Sequence, residues 1–293
     1  MSRPLRIGVT VVNMDCGDAA SEAMEYLVNN TSEDAFVFLT DNGSIEPPED
    51  HPDYPTLRLP VNDGVTGVWY KMKDYLAENK VDVLVCCHAD FFILDKDWDR
   101  VVSDAFTRDE KLILASFVGS RGVGSNGGRS HGLYLGFVGN QYRTGNGSPF
   151  SVHGSKTEGI IPAACFDHCV MIYKVAEFDL LRTFFPDPPP IHFEDRILPA
   201  AANYYGYHCA VLDVNCDHTS GAKGTQVGME NYYTLAKRWL DERGIEHPAD
   251  GNYDRTLYLI AEHRFLDEWR DEKHFVPFNV LPDYRVETKG RRP

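Results

Sequence analysis

Three short clusters carry residue types that can hold a divalent cation and take up a proton. The first is His88-Ala89-Asp90, directly after the most hydrophobic stretch of the chain, Val81 to Cys87. A carboxylate at the end of a buried strand can bind Mg2+ or Mn2+ and still leave coordination positions for phosphate oxygens. The second is Cys216-Asp217-His218, in which His218 ends another apolar run and offers a second ligand. The third, Glu194-Asp195, follows the rigid turn Asp187-Pro188-Pro189-Pro190 and offers a carboxylate as general base. Each residue alone has a plainer role. A strand-end Asp caps a turn, a His is satisfied inside a core, and a Glu caps the helix that follows it. Chemistry requires all three clusters to meet in space.

A further candidate is defined by what the chain leaves out. From Lys111 to Thr157 there are 47 residues without Asp or Glu, where the chain's overall acid content predicts about 7. Arg121, Arg129 and Lys156 in this window are candidate contacts for a phosphate or an anionic acceptor, although a glycine-rich loop can also simply lack acids. Ten glycines between Gly119 and Gly147 exclude a continuous helix or central strand there. Two motifs in the window are decoys. Gly122-Val123-Gly124-Ser125-Asn126-Gly127 fits a dinucleotide fingerprint but opens no helix and has no acid about 20 residues on. Gly128-Arg129-Ser130-His131-Gly132 fits a nucleophile elbow but has loop on both sides instead of strand and helix.

The elements that must position these residues alternate. Leu5 to Val12 predicts a strand and Ala19 to Val28 a helix with Ala20, Ala23, Met24 and Leu27 on one face. Ala35 to Leu39 predicts a strand, Val65 to Glu78 a helix, and Val81 to Cys87 a buried strand. Strands are expected at Leu112 to Val118, Ile160 to Ile172 and Ala210 to Val214, with a helix from Ile197 to Tyr205. Such alternation implies a parallel α/β sheet, whose ligands collect beyond the carboxyl ends of the strands. Asn13, Asp41 and the His88-Ala89-Asp90 group lie at those ends. From Lys223 the character changes to two amphipathic helices, Glu230 to Arg243 and Arg255 to Glu272, and a basic tail. One α/β catalytic domain with a helical C-terminal appendage is expected.

Composition narrows the setting. The chain has 293 residues, 43% of them hydrophobic, with a net charge of −15. A chain this long buries enough surface for a substantial core, which argues against disorder. Its acidity opposes broad adhesion to nucleic acid or anionic membranes. It has no apolar stretch of about 20 residues for a membrane span and no signal-peptide pattern, so a cytoplasmic protein is expected. The seven cysteines form no CxxC pair and fit buried, reduced thiols.

Taken in order, these pieces resemble the inverting, family-2-like nucleotide-sugar glycosyltransferases of GT-A fold, over about Leu5 to Gly221. Asp41-Asn42-Gly43-Ser44 resembles the family's Asp-Asp-Gly-Ser turn, and Asn62-Asp63-Gly64 its Asn-x-Gly. His88-Ala89-Asp90 resembles a His-x-Asp version of the Asp-x-Asp metal motif. Phe166-Asp167-His168 is similar to the acceptor-side Asp-Gly strand, with His in place of Gly. Glu194-Asp195, with Leu198, Ala202 and Gly206-Tyr207, resembles the Glu-Asp helix, and Asp217 to Gly221 the late His followed by small residues.

The resemblance implies a mostly parallel sheet flanked by helices, a catalytic domain over 1–222 and a helical extension over 223–293. It implies a nucleoside-diphosphate sugar donor, by family habit a UDP-sugar, and Mn2+ or Mg2+ held by Asp90 and His218 with His88. Asn13, Asp41, Asn42 and Asp90 inherit the donor side, Asp167 and His168 the acceptor side. Asp195 inherits the general base, with Glu194 as second candidate, and transfer proceeds with inversion to an acceptor hydroxyl. The acid-free window permits an anionic acceptor, nucleic acid included only as a substrate for glycosylation. Two departures stand out. The first strand ends in Val12-Asn13 without the family's Pro-Thr-Tyr-Asn, and no QxxRW motif of processive polymerases is present. A nucleotidyltransferase would carry a basic, Gly-rich loop after the first strand, and Val12 to Gly17 has no basic residue. A degenerate sugar-binding protein would accommodate His88 and Asn42 but has no need of the acid pair.

Overall fold

The computed structural model describes residues 3–123, 134–135, 138–139, 158–218, 226–247 and 251–269. Strand β1 (Ile7–Asn13) is buried along its whole length, as expected of an apolar run covered on both faces. Helix α1 (Asp18–Asn30) buries Ala20, Ala23, Met24 and Leu27. β2 (Phe36–Asn42) and β3 (Thr56–Leu59) follow. The helix expected over Val65 to Glu78 is two pieces, α2 (Val68–Lys71) and α3 (Lys73–Glu78). Met72 divides them with a tightened turn, its N–H bonding Trp69 O at 3.2 Å, and Val68, Trp69, Met72 and Leu76 all still reach the core.

β4 (Val83–His88), β5 (Phe91–Ile93), α4 (Trp98–Arg108) and β6 (Leu112–Ser116) come next. The single strand expected over Ile160 to Ile172 is three. After β7 (Gly119–Ser120), β8 (Tyr134–Leu135) and β9 (Val138–Gly139), the chain forms β10 (Ile160–Pro162), β11 (Cys165–Phe166) and β12 (Val170–Lys174). Asp167 is the reason for one of the breaks. Its carbonyl takes the Val170 N–H at 3.4 Å and its side chain the Cys169 N–H at 3.4 Å, closing a turn where a strand would have to run straight. Then follow α5 (Phe178–Phe184), α6 (Glu194–Tyr204), β13 (His208–Leu212), β14 (Cys216–His218), α7 (Gln226–Glu242) and α8 (Tyr253–Trp269).

Eight strands form the central sheet in the order β10-β13-β6-β12-β4-β1-β2-β3. Four neighbouring pairs are parallel, and the three antiparallel ones involve β10 and β12. Two small sheets, β11-β7-β8 and β5-β14-β9, complete the α/β architecture. Alternation along β4 divides the core. Val83, Val85 and Cys87 face the cluster that contains α1 and α4, while Leu84 and Cys86 face the one that contains α2, α3, α5 and α6. Ala261, Phe265 and Trp269 of α8 join the second cluster, so the C-terminal helices are packed onto the sheet core. All seven cysteines are free thiols, and six are buried. No helix among the described residues is long and apolar enough to cross a membrane.

Candidate active site

Two antiparallel pairings bring the separated clusters together. β12 runs beside β4 with Val170 opposite Cys87, and the His88 N–H bonds Cys169 O at 2.9 Å, which sets His168 against His88. β14 runs beside β5 with His218 opposite Phe91, which sets His218 against Asp90. As a result His88, Asp90 and His218 each direct one ligand atom into a common space, all within 4.8 Å of one another. His218 Nε2 lies 3.3 Å from Asp90 Oδ1, and their side chains are 12% and 17% exposed, accessible without being loose.

The electrostatics suit a cation. Burial, and then the neighbouring His168 ring, push His88 down to about 3, so it is a neutral imidazole with a lone pair to give. Burial alone would raise the Asp90 carboxyl, but the hydrogen bond and charge of His218 outweigh it and hold the group below its ordinary value. Two imidazoles and one carboxylate converging on one space are a donor set that a divalent transition ion fits.

Behind this cluster runs a chain of hydrogen bonds to α6. His88 Nε2 lies 3.3 Å from His168 Nδ1, and His168 Nε2 lies 2.9 Å from Glu194 Oε2. Burial pulls His168 down, yet the hydrogen bond and charge of Glu194 win and raise it. The His168 Nε2–H donates to Glu194, and its Nδ1 faces His88 Nε2, so the Glu194 carboxylate fixes the His168 ring against His88. The Glu194 carboxylate also accepts the Gly67 N–H, 3.2 Å from each oxygen, and the Trp69 indole N–H. Only 1% exposed, Glu194 is fully committed to these partners. Asp195 sits beside it in the first turn of α6 at 6% exposure, and among the described residues its carboxylate has no hydrogen-bond partner. Trp69 and Gly67 were invisible as site residues in the sequence, because a Trp on the apolar face of a helix reads as core.

The donor-side candidates at the ends of β1 and β2 are occupied by the fold. Asn13 accepts the Cys16 N–H at 3.1 Å and donates to Ser44 Oγ at 3.4 Å. Asp41 accepts the Ser44 N–H at 3.1 Å, and Asn42 donates to Gly64 O at 2.8 Å. Asp15, which sequence reasoning passed over, accepts the Ile45 and Glu46 N–H groups and the Asn231 amide of α7. Gly64 itself must be glycine: at φ +91° a Cβ would stand 2.1 Å from Pro190 O, which takes the Val65 and Thr66 N–H groups.

Of the basic candidates, Arg121 follows β7 and keeps its Nε buried without a hydrogen-bond partner among the described residues. Arg129 and Lys156 lie outside the described residues. Asp167 braces the floor, its N–H bonding Val118 O at 3.0 Å. A cavity of about 20 Å3, room for one water, lies under His88 and His168 between Val12, Val68 and Tyr173. A larger one of about 450 Å3, lined by Lys111, Asn203, Tyr207 and His208, is at the opposite end of α6 and contains none of the clustered residues.

No protein-family model and no curated protein matches the chain. Among solved structures it is similar to GalNAc-T7 with UDP, GalNAc and Mn2+, at 13% identity and a TM-score of 0.50 over 81% of this chain and 49% of that one. The chain thus spans about half the length of that structure. Residues 1–349 of S. aureus TarS align at 14% identity and a TM-score of 0.45, over 94% of this chain and 76% of that one. The mannosyltransferase PcManGT from Pyrobaculum calidifontis, in complex with GDP-Man and Mn2+, aligns at 12% identity and 0.45, over 92% and 76%. The fold is the GT-A type.

Proposed function

We propose that the chain is a nucleotide-sugar glycosyltransferase that binds a divalent cation through His88, Asp90 and His218 and uses Asp195 as its base. The observation that carries this is the convergence of those three ligand atoms within 4.8 Å, beside the acid pair of α6, in a GT-A-type fold. The similar GalNAc-T7 structure holds UDP and Mn2+, which favours a UDP-sugar donor here. Imidazole donors favour Mn2+ over Mg2+, the harder and more oxygen-seeking ion. A cation bound there would supply positive charge to the diphosphate as it leaves.

The remaining work falls to side chains. Asp195 takes the proton of the acceptor hydroxyl as that oxygen bonds the anomeric carbon. The bond from that carbon to the diphosphate breaks on the opposite face, so the configuration inverts. Glu194 positions: saturated by Gly67, Trp69 and His168, it fixes the His168 ring that orients His88. Asn13, Asp41 and Asn42 stiffen the loops that frame the nucleoside. Arg121, with Arg129 and Lys156, meets phosphate or an anionic acceptor, with Asp167 and His168 on the acceptor side. Residues 1–222 are the catalytic part and 223–293 a helical extension.

Thermal midpoints with UDP, GDP and their sugars, each with Mn2+, Mg2+ or EDTA, test the donor site, because ligands that bind the folded state raise the midpoint. A Mn2+-dependent rise with one nucleotide, absent in Asp90→Ala, is expected. No rise with any nucleotide would overturn the proposal.

A further inference from the structure

The segment 185–193 joins α5 to α6 and delivers Glu194 and Asp195 to the site. Among the described residues, six that are not glycine have positive φ, and three of them fall here: Asp187 at 51°, His192 at 84° and Phe193 at 67°. Residues with a Cβ keep this conformation only where their surroundings enforce it. On the core side Pro190 O is held by Val65 and Thr66. The three strained residues are held from the other side.

Each is fastened by a C-terminal helix. Asp187 accepts from Arg243, in the turn that ends α7, at 3.1 Å from Nε and closer from Nη2, and its carbonyl takes Arg264 of α8 at 3.0 Å. His192 Nε2 lies 2.9 Å from Asp254 Oδ1 in the first turn of α8, and Tyr232 of α7 donates to the same oxygen at 2.7 Å. The Phe193 ring packs against Tyr258 and Phe265 of α8, at centroid distances of 5.3 and 5.8 Å. Helix α6 itself adds only the Arg196 guanidinium, 4.3 Å over the Phe193 ring. Phe193, its N-cap, makes no side-chain capping bond, and Pro199 lacks the N–H that the Asp195 carbonyl would accept four residues earlier.

We infer that α7 and α8 form a clamp on the strained turn ahead of α6, with Asp254, His192 and Tyr232 as positioning residues for the Asp195 carboxylate. The inference rests on the assignment of Asp195 as base. A base must sit within hydrogen-bond reach of its proton, and a displacement of about 1 Å costs on the order of a hundredfold in rate. The C-terminal helices therefore belong to the working parts of the site.

Hydrogen exchange on the full chain reads the clamp without any substrate. The Arg196 and Ile197 amides bond Phe193 O at 3.1 and 2.8 Å. In Asp254→Ala they should exchange about tenfold faster or more, with β4 unchanged. Asp254→Asn still accepts from His192 and Tyr232 and should keep slow exchange. Adding His192→Gly to Asp254→Ala should restore protection, because glycine adopts positive φ without strain. The second readout is UDP release from UDP-glucose, UDP-galactose, UDP-GlcNAc and UDP-GalNAc with water as acceptor. There kcat should fall about tenfold or more in Asp254→Ala and recover in the double variant, with KM and Mn2+–UDP affinity held within about twofold. Unchanged exchange in Asp254→Ala overturns the clamp, as does an equal loss of Mn2+–UDP binding, which would mark general loosening. Full turnover in Asp195→Asn would remove the base assignment instead, and exchange would still decide the clamp.

Discussion

The polar rim along the carboxyl ends of the strands has two halves that look alike in sequence and differ in use. At β1 and β2, Asn13, Asp15, Asp41 and Asn42 are 4%, 4%, 1% and 0% exposed, and each side chain meets a backbone group of the loops it braces, Asp41 lying also 3.6 Å from Arg58 of β3. At β4 and β14, His88, Asp90 and His218 point at one another across a shared space. A strand-end polar residue answered by the backbone is spent on shape. One whose ligand atom converges with those of two other side chains is available for a ligand.

Exchanging one residue from each half separates the two roles. The largest effect is expected from Asp90→Ala, which removes the one carboxylate that the ligand cluster has among the described residues and should abolish Mn2+-dependent nucleotide binding in calorimetry while leaving the fold. Retained binding would move the metal elsewhere. Next comes Glu194→Ala, which strands the Trp69, Gly67 and His168 donors in the core and should cost about 3–5 kcal/mol in urea unfolding. A cost under about 1 kcal/mol would mean that Glu194 is not the anchor described. Asn42→Ala, from the other half, should cost about 1–3 kcal/mol through the unmet Gly64 carbonyl and leave Mn2+-dependent binding intact. Loss of nucleotide binding in Asn42→Ala at unchanged stability would erase the distinction between the halves.

Much of this rim was legible from the chain alone. The strands that carry it are apolar runs of unambiguous period, so the ends at Asn13, Asp41 and His88 fall where hydrophobicity stops. The order of clusters was enough to expect Asp90, His218 and the acid pair in one site. What the sequence hid depends on pairing between distant segments. The break of Ile160 to Ile172 into three strands follows from a turn at Asp167 that competes with strong β propensity on both sides. The division of labour between Glu194 and Asp195 is set by Gly67 and Trp69, more than a hundred residues away. Short β5 and the amphipathic α4 were passed over, the first for its length and the second behind a run of charges.

The smallest effect expected belongs to the surface pairs that tie the turn ahead of α6 to the C-terminal helices. The hydrogen bond from Arg243, more than any other influence, holds the Asp187 carboxyl below its ordinary value of 3.8. A depressed carboxyl stabilises the folded state above its unfolded value and loses that contribution as pH falls through the lower folded one. Wild type and Asp187→Asn should therefore differ in thermal midpoint at pH 7 and converge below about pH 4. With Asp187 64% exposed, the gap at pH 7 should stay under about 1 kcal/mol and shrink in high salt. No gap at pH 7 would assign the restraint on Asp187 to the Arg264 contact with its backbone carbonyl, which neither the substitution nor the protonation disturbs directly. The buried site at β4 and β14 would then differ from this edge in one more respect: its geometry depends on charge, whereas that of the turn depends on backbone contacts.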